Sequence, residues 1–296
     1  MDDQLLINKF IDSLWLEAGL SKNTQSAYRS DLQKLSLWLL QQNSCLHKAR
    51  REELLTYLAA KMKKGAKSTS SARTLTTMRR FYRYLLREQL VPEDPTLKIE
   101  HPRVQRSLPS SLTESEVDSL LDEPDKDLEI EHRDAVMLEV LYASGLRVSE
   151  LVGLHLEQLN LQQGVVRVMG KGGKERLVPL GDAALDALKD YLSAVRPLLV
   201  VGGGQSVVFP SLRGREMTRQ TFWHRIKLYA QRSGIRKNIT PHTLRHAFAT
   251  HLVNHGADLR VVQLLLGHSD LSTTQIYTHV AKARMQRLHS QHHPRG

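Results

Sequence analysis

Three short segments near the carboxyl end decide how this chain is interpreted: Thr240-Pro241-His242-Thr243-Leu244-Arg245-His246, Leu266-Gly267-His268-Ser269, and Thr273-Thr274-Gln275-Ile276-Tyr277-Thr278-His279. Thr240 can cap a helix and Pro241 suits its first turn, so a helix is predicted to begin here. His242 and Arg245 then lie three residues apart on one face. The free N–H groups of a helix start, with an imidazole and a guanidinium beside them, suit a phosphate. The first segment therefore predicts an anion site.

The same stretch supplies a candidate nucleophile, Tyr277, nine residues after His268. A phenol ionises near pKa ~10, so it becomes a useful nucleophile at neutral pH only where cations and a base favour the phenolate. The neighbouring segments provide such groups. Tyr277 is therefore predicted to react with the bound phosphate.

Together, the three segments resemble the carboxyl-terminal signature of the tyrosine recombinases, the family of phage integrases and bacterial chromosome-dimer resolvases. The longer run HGADLRVVQLLLGHSDLSTTQIYTHV, from His255 to Val280, is most similar to the resolvases, and the resemblance extends over nearly the whole chain. It implies a mainly α fold. A helical, SAM-like core-binding domain would be followed by a mostly α catalytic domain with a small antiparallel β-sheet.

Composition agrees with a nucleic-acid partner. Lys and Arg number 42 against 31 Asp and Glu, a formal charge of +11, and the sequence pI is near 9.8. The chain has no apolar run approaching ~18 residues, and its first twenty residues include four acids rather than a basic flank, so a membrane or secreted protein is disfavoured. Cys45 is the only cysteine, which excludes an internal disulfide and favours a reducing cytoplasm.

Helical periodicity predicts that the N-terminal domain, residues 1–91, consists of four helices, each with an apolar stripe. These are expected at 3–18, at 21–42, at 51–64 and from Ser68 onwards. The face of the fourth helix opposite its stripe is rich in cations with few interleaved acids, which favours phosphate contacts over a merely solvated face. The predicted DNA-contacting residues there are Lys67, Arg73, Arg79, Arg80 and Arg83.

Residues 92–111 contain four prolines and no apolar period, so they are predicted to form a linker. Thr113 and Glu116 form a capping-box pattern that opens the second domain, 112–296.

A later helix of the second domain, from Thr218 to Arg232, carries Arg219 and Arg225, which resemble a phosphate-contacting edge. The polar ending around His289, His292 and His293 is expected to be a frayed tail.

Arg147 lies where one predicted helix ends at Gly145 and another begins. An arginine at such a corner commonly bridges to carbonyls or to a carboxylate such as Glu150. The family's first arginine lies in this motif, however, so the resemblance implies a catalytic Arg147.

Two β-rich runs, 165–169 and 176–180, predict a hairpin whose tip carries Lys171. In the family a hairpin lysine donates a proton to the leaving oxygen, and Lys171 occupies that place.

The resemblance thus implies the catalytic set Arg147, Lys171, His242, Arg245, His268 and Tyr277. Two arginines would hold the phosphate oxygens bidentately while Tyr277 attacks, forming a 3′-phosphotyrosyl link and releasing a 5′-hydroxyl. His242 would relay the Tyr277 proton and His268 would hydrogen-bond the phosphate. No metal, ATP or other cofactor is required. The implied partners are a double-stranded DNA site, a paralogous recombinase in a heterotetramer, and an activating DNA translocase of the division septum.

Three other functions share part of this pattern. A metal-dependent nuclease is disfavoured because the histidines lack clustered acids and no His-Glu-x-x-His motif occurs. A type IB topoisomerase would use the same residues to relax DNA. A DNA-binding protein without catalysis would share the charge and the helices but would not need Tyr277.

Overall fold

The computed structural model describes residues 2–18, 20–101, 111–169, 175–200, 206–267 and 289–295. The chain divides into two compact units, Met1–Leu108 and Pro109–Gly296. The predicted mainly α class with a small antiparallel sheet is confirmed. Within the described ranges, no helix is long and apolar enough to cross a bilayer.

The N-terminal unit is built from four helices: α1 (Asp3–Ala18), α2 (Lys22–Leu40), α3 (Arg51–Lys63) and α4 (Ser68–Arg87). Their apolar stripes meet in one core, in which Leu32, Leu35 and Leu85 are fully buried. The side chain of Ser21 caps α2 by accepting a hydrogen bond from the N–H of Thr24.

A buried carboxylate ties the cationic helix α4 to its neighbours. Asp31 of α2 accepts hydrogen bonds from the guanidinium of Arg73 at 3.0 and 3.1 Å and from the hydroxyls of Thr74 and Thr77 at 3.2 and 3.4 Å. Lys61 of α3 lies 3.7 Å away. Because Asp31 is only 2% exposed, these contacts replace the water that its charge has lost.

Part of the segment predicted to be a linker packs on the N-terminal unit. Ile99 is buried in that unit's core, and the buried Asp94 accepts hydrogen bonds from the N–H and hydroxyl of Thr96. Pro92 and Pro95 therefore lie in a bend and a turn that belong to the N-terminal unit.

The C-terminal unit begins with α5 (Glu114–Asp122), opened by the capping box predicted from Thr113 and Glu116. It continues with α6 (Glu129–Ser144), α7 (Val148–Val152), β1 (Leu159–Asn160), β2 (Val165–Met169), β3 (Glu175–Pro179), α8 (Asp182–Asp190), α9 (Arg196–Leu199), α10 (Arg219–Arg232), α11 (Pro241–Asn254) and α12 (Leu259–Leu265). The three strands form one antiparallel sheet in the order β1-β2-β3.

Helix α6 is the centre of this unit and is buried on nearly every side. It ends at Gly145, whose φ of +59° is the left-handed conformation that glycine adopts without strain. A Cβ at this position would collide with the ring of Phe248 in α11. Gly145 therefore allows the corner between α6 and α7 to approach α11 closely.

The expectation of a frayed carboxyl-terminal tail is wrong for residues 289–295. His289 and His293 are buried and stacked, with ring centroids 4.7 Å apart, and His289 hydrogen-bonds the carbonyl of Ala143 at 2.6 Å. Arg295 contacts Glu139 at 2.5 Å. Polarity was a poor guide here because a neutral imidazole packs as an aromatic ring.

Candidate active site

Helix α11 begins as predicted and presents Arg245 one turn from its start. The side chain of Thr240 accepts a hydrogen bond from the N–H of Thr243 at 3.2 Å, and Pro241 occupies the first turn. His242 is exposed in that turn. Arg245 is half-buried and donates to two backbone carbonyls, those of Gly145 and Leu266.

Arg147 reaches the same part of the unit from the corner between α6 and α7. Its Nη1 donates to Glu150 at 2.8 Å, and its Nη2 points to the carbonyl of Gly267 at 3.5 Å. The backbone N–H of Arg147 also donates to Glu150, at 2.7 Å, and caps α7. Both arginines thus contact residues 145–150 and residues 266–267, directly before His268. The family resemblance implied that these two guanidiniums would lie near each other.

Burial affects the charge of Arg245. Loss of solvent, reinforced by the like charge of Arg147, lowers the pKa of Arg245 to about 10, so the guanidinium remains protonated at neutral pH. Holding two cations near each other is unfavourable unless an anion lies between or beside them. The arrangement is therefore suited to receive a negatively charged group.

Two charged residues of the site, Glu150 and Arg176, were not predicted from the sequence to be functional. Glu150 is 10% exposed and accepts a bidentate pair from Arg176 of β3, at 2.9 and 2.8 Å. Burial alone would raise the pKa of Glu150, but hydrogen bonds from Arg176 and from the N–H of Arg147 outweigh it, and the pKa is lowered. The net charge of this group, which consists of three arginines and one carboxylate, is 3 − 1 = +2. The arginines are Arg147, Arg176 and Arg245.

A signal for Arg176 was present in the sequence. It occupies an inward position in the alternation of β3, where Arg176 and Val178 are buried and Glu175 is exposed. An arginine at such a position needs an internal partner. The partner, Glu150, lies 26 residues away along the chain, so its identity was not readable from local pattern.

The remaining predicted catalytic residues, Lys171, His268 and Tyr277, lie outside the described residues. The structure therefore brings Arg147 and Arg245 together and places His242 on the same helix as Arg245. The roles of all six residues stay predictions.

The predicted DNA-contacting residues fall into two groups. Four are exposed and, in the described part of the chain, make no side-chain hydrogen bond or ion pair: Lys67 at the start of α4, Arg80 and Arg83 on α4, and Arg219 at the start of α10. The other three, Arg73, Arg79 and Arg225, have protein partners.

The partners of these three are internal. Arg73 binds Asp31, and Arg79 donates to the carbonyl of Ile99. Arg225 binds Asp134, which is 0% exposed, at 2.5 Å. The hydroxyl of Tyr229 also donates to Asp134, at 2.8 Å. Through these interactions the three arginines stabilise the fold, whether or not they also contact DNA.

One group of possible metal ligands occurs in the N-terminal unit. Single ligand atoms of Asp3, Cys45 and His47 lie within 4.8 Å of one another. The Asp3 carboxylate is already occupied, because it accepts hydrogen bonds from the hydroxyl of Ser36 at 2.6 Å and from the N–H of Leu46 at 3.1 and 3.2 Å.

Two family models match the sequence. The one described as "Phage integrase family" matches residues 110–284, and the one described as "Phage integrase, N-terminal SAM-like domain" matches residues 7–89. The protein named tyrosine recombinase XerD in Pseudomonas aeruginosa is 59% identical over 291 residues, which cover 98% of each chain. The XerD of Yersinia pestis is 57% identical over 295 residues, covering 99% of each.

Solved structures share the architecture. The Tn1549 transposon integrase, in complex with circular-intermediate DNA, gives a TM-score of 0.73 at 18% identity, over 97% of this chain and 99% of the other. A lambda integrase dimer bound to a core site gives 0.71 at 19% identity, over 90% and 94%. At these identities the likeness concerns the fold alone, and it agrees with the predicted fold class.

Proposed function

Because the chain belongs to the phage integrase family, we propose that it is a site-specific tyrosine recombinase that cuts and rejoins DNA through a 3′-phosphotyrosyl intermediate. The structural observation that carries the proposal is the convergence of Arg147 and Arg245 on residues 266–267. Two guanidiniums at one place match a phosphodiester, whose non-bridging oxygens they can hold in parallel.

Charge explains why two arginines are needed. As the nucleophile approaches, the phosphate oxygens gain negative charge, and preorganised donors stabilise that charge more than they stabilise the ground state. Arg245 is suited to this task because its two carbonyl contacts fix it before DNA arrives. Fixed donors need no reorganisation when the reaction occurs.

The covalent step balances without a cofactor. The Tyr277 oxygen would bond to phosphorus while the bond from phosphorus to the 5′-oxygen breaks, and Lys171 would donate the proton to that leaving oxygen. His242 would accept or relay the phenol proton, and His268 would hydrogen-bond the phosphate. Since the ester retains the energy of the broken phosphodiester, a 5′-hydroxyl of another strand can reverse the step.

The relatives named XerD support a proposed biological role. We propose a heterotetramer on two double-stranded DNA sites, formed with a XerC-like paralogue, that resolves chromosome and plasmid dimers at cell division. An FtsK-like septal DNA translocase would activate it. Such a role places the enzyme in the cytoplasm.

DNA affinity is proposed to come from the basic residues of both units. The exposed Lys67, Arg80, Arg83 and Arg219 are expected to contribute most, because their charges have not been committed to buried carboxylates. Replacing any one of them by a neutral residue should reduce the slope of log affinity against log salt by about 0.9, provided that its cation neutralises one phosphate.

A nicked suicide duplex tests the proposal, because the fragment released after cleavage diffuses away and traps the adduct. The wild type should form an SDS-resistant protein–DNA species in EDTA, and Tyr277→Phe should form none. Tyr84→Phe, a change at a half-buried tyrosine of α4, is the matched control and should behave as wild type.

This experiment and a plasmid assay together distinguish the rival functions. Loss of DNA cleavage in EDTA would favour a metal-dependent nuclease. A wild type that binds DNA without forming an adduct, with binding unchanged in Tyr277→Phe, would favour a pure DNA binder. Relaxation of a plasmid without recombination between two sites would favour a topoisomerase.

A further inference from the structure

The carboxylate of Glu150 accepts hydrogen bonds from the side chains of two arginines, and the two arginines use its oxygens differently. Arg176 takes both carboxylate oxygens, with Nη1 at 2.9 Å from Oε1 and Nη2 at 2.8 Å from Oε2. The side chain of Arg147 takes only Oε1, at 2.8 Å. Its other nitrogen, Nη2, is directed to the carbonyl of Gly267. Oε2 accepts Nη2 of Arg176 and the backbone N–H of Arg147, at 2.7 Å, so the side chain of Arg147 is left with a single oxygen.

Arg176 also lies against the residue that precedes His268. A Cβ built on Gly267 would stand 3.0 Å from Cδ and Nε of Arg176 and 3.2 Å from its Cζ. Gly267 has a φ of +69°, which glycine tolerates and other residues rarely adopt. The guanidinium is therefore packed against the backbone of the segment that Arg147 and Arg245 contact.

Arg176 is a buried residue, unlike a typical surface cation. It is 7% exposed, and within the described part of the chain its Nε has no hydrogen-bond partner. The side chain of Arg147, by contrast, is 36% exposed. Arg147 is thus the more accessible of the two for a phosphate, while Arg176 is enclosed behind it with Glu150.

We propose that Arg176 is a positioning residue for strand cleavage: by occupying both oxygens of Glu150, it keeps one edge of the Arg147 guanidinium free for the scissile phosphate. Without Arg176, Glu150 would pair with Arg147 through both nitrogens and turn that edge away from DNA. This inference deepens the proposed recombinase function and rests on it.

The test measures single-turnover adduct formation on the nicked duplex for Arg176→Gln. We expect cleavage roughly 100-fold slower, the size of effect that a small misplacement of a catalytic group produces, with DNA affinity unchanged. Arg167→Gln, on the exposed face of the neighbouring strand β2, is the control and should cleave at the wild-type rate. Arg176→Lys, which keeps the charge but cannot make the two-pronged contact, should also be slow.

Two readouts distinguish positioning from general loss of structure. On a duplex with a methylphosphonate at the scissile position, one oxygen charge is absent, so the defect of Arg176→Gln should shrink. In a Glu150→Gln background, Arg176→Gln should slow cleavage by less than about 3-fold. Arg176 is proposed to act through the Glu150 carboxylate, which that background already lacks.

Several results would overturn the inference while leaving the recombinase function intact. Wild-type cleavage rates in Arg176→Gln and Arg176→Lys would do so, as would equal defects on both substrates or additive effects of the two substitutions. If the glutamine variant does not fold, a folded lysine variant with the wild-type rate is equally decisive. Failure of the wild type itself to form an adduct would instead remove the proposed function.

Discussion

Replacing Arg245 by lysine keeps a positive charge at the site but removes the two-pronged donor geometry. In the structure this guanidinium donates to the carbonyls of Gly145 and Leu266. One lysine nitrogen cannot span both carbonyls and a phosphate. Loss of a preorganised donor to the developing charge costs about 3–4 kcal/mol, so cleavage should slow by roughly 100-fold to 1000-fold.

The same change also has a cost in stability. A hydrogen bond from a charged donor contributes about 1.5–3 kcal/mol, and the lysine variant lacks at least one such bond. We therefore expect a net loss of about 2 kcal/mol, which lowers the unfolding midpoint by roughly 4–8 °C for a unit of this size.

Single-turnover adduct formation on a nicked duplex, at a temperature well below unfolding, measures the catalytic part. His246→Gln is the matched control, since His246 is the exposed neighbour of Arg245 on α11. An Arg245→Lys variant that cleaves within a few-fold of the wild type would refute the assignment of Arg245 to the phosphate.

Three further predictions concern other parts of the chain. Gly267→Ala should slow adduct formation and lower stability by about 1–2 kcal/mol in thermal unfolding, because its φ is +69° and a Cβ would crowd Arg176; an unchanged rate and midpoint would contradict this. Asp31→Asn should cost about 2–3 kcal/mol in urea unfolding, less than a fully enclosed ion pair because one partner is half-exposed; a change below about 0.5 kcal/mol would show that the network is dispensable. Burial and the neighbouring His289 lower the pKa of His293 to about 2, so the unfolded segment binds more protons than the docked one at acid pH. Docking of residues 289–295 should therefore be complete above pH ~6.5 and weaken as the pH falls below it; hydrogen-exchange protection that is constant across that range, after correction for intrinsic rates, would show otherwise.

Local chemistry made much of the fold predictable. Thr240 with Pro241, and Thr113 with Glu116, begin helices where the capping preferences place them. Gly145 ends α6 in the left-handed conformation. These signals involve residues within one helical turn, so they can be read directly from the sequence. The pairing of Arg147 with Arg245, 98 positions apart, came from the family signature rather than from local pattern.

Contacts between distant residues were not predictable in the same way. Arg73 and Arg225 looked like free cations on helical faces, yet each binds a buried aspartate, 42 and 91 residues away respectively. The sequence pattern placed Arg176 in a hairpin strand but did not indicate its partner, because Glu150 lies in another motif. Charge on a helix face or strand indicates that a partner is needed but does not say whether the partner is internal or external.

The central claim is tested most directly by identifying the residue that carries the DNA. After trapping on a nicked suicide duplex in EDTA, the adduct would be digested and the oligonucleotide-bearing peptide sequenced by mass spectrometry. The account predicts a peptide in which Tyr277 is linked to a 3′-phosphate. A strand attached to any other residue, or recombination of two sites without a covalent adduct, would contradict it.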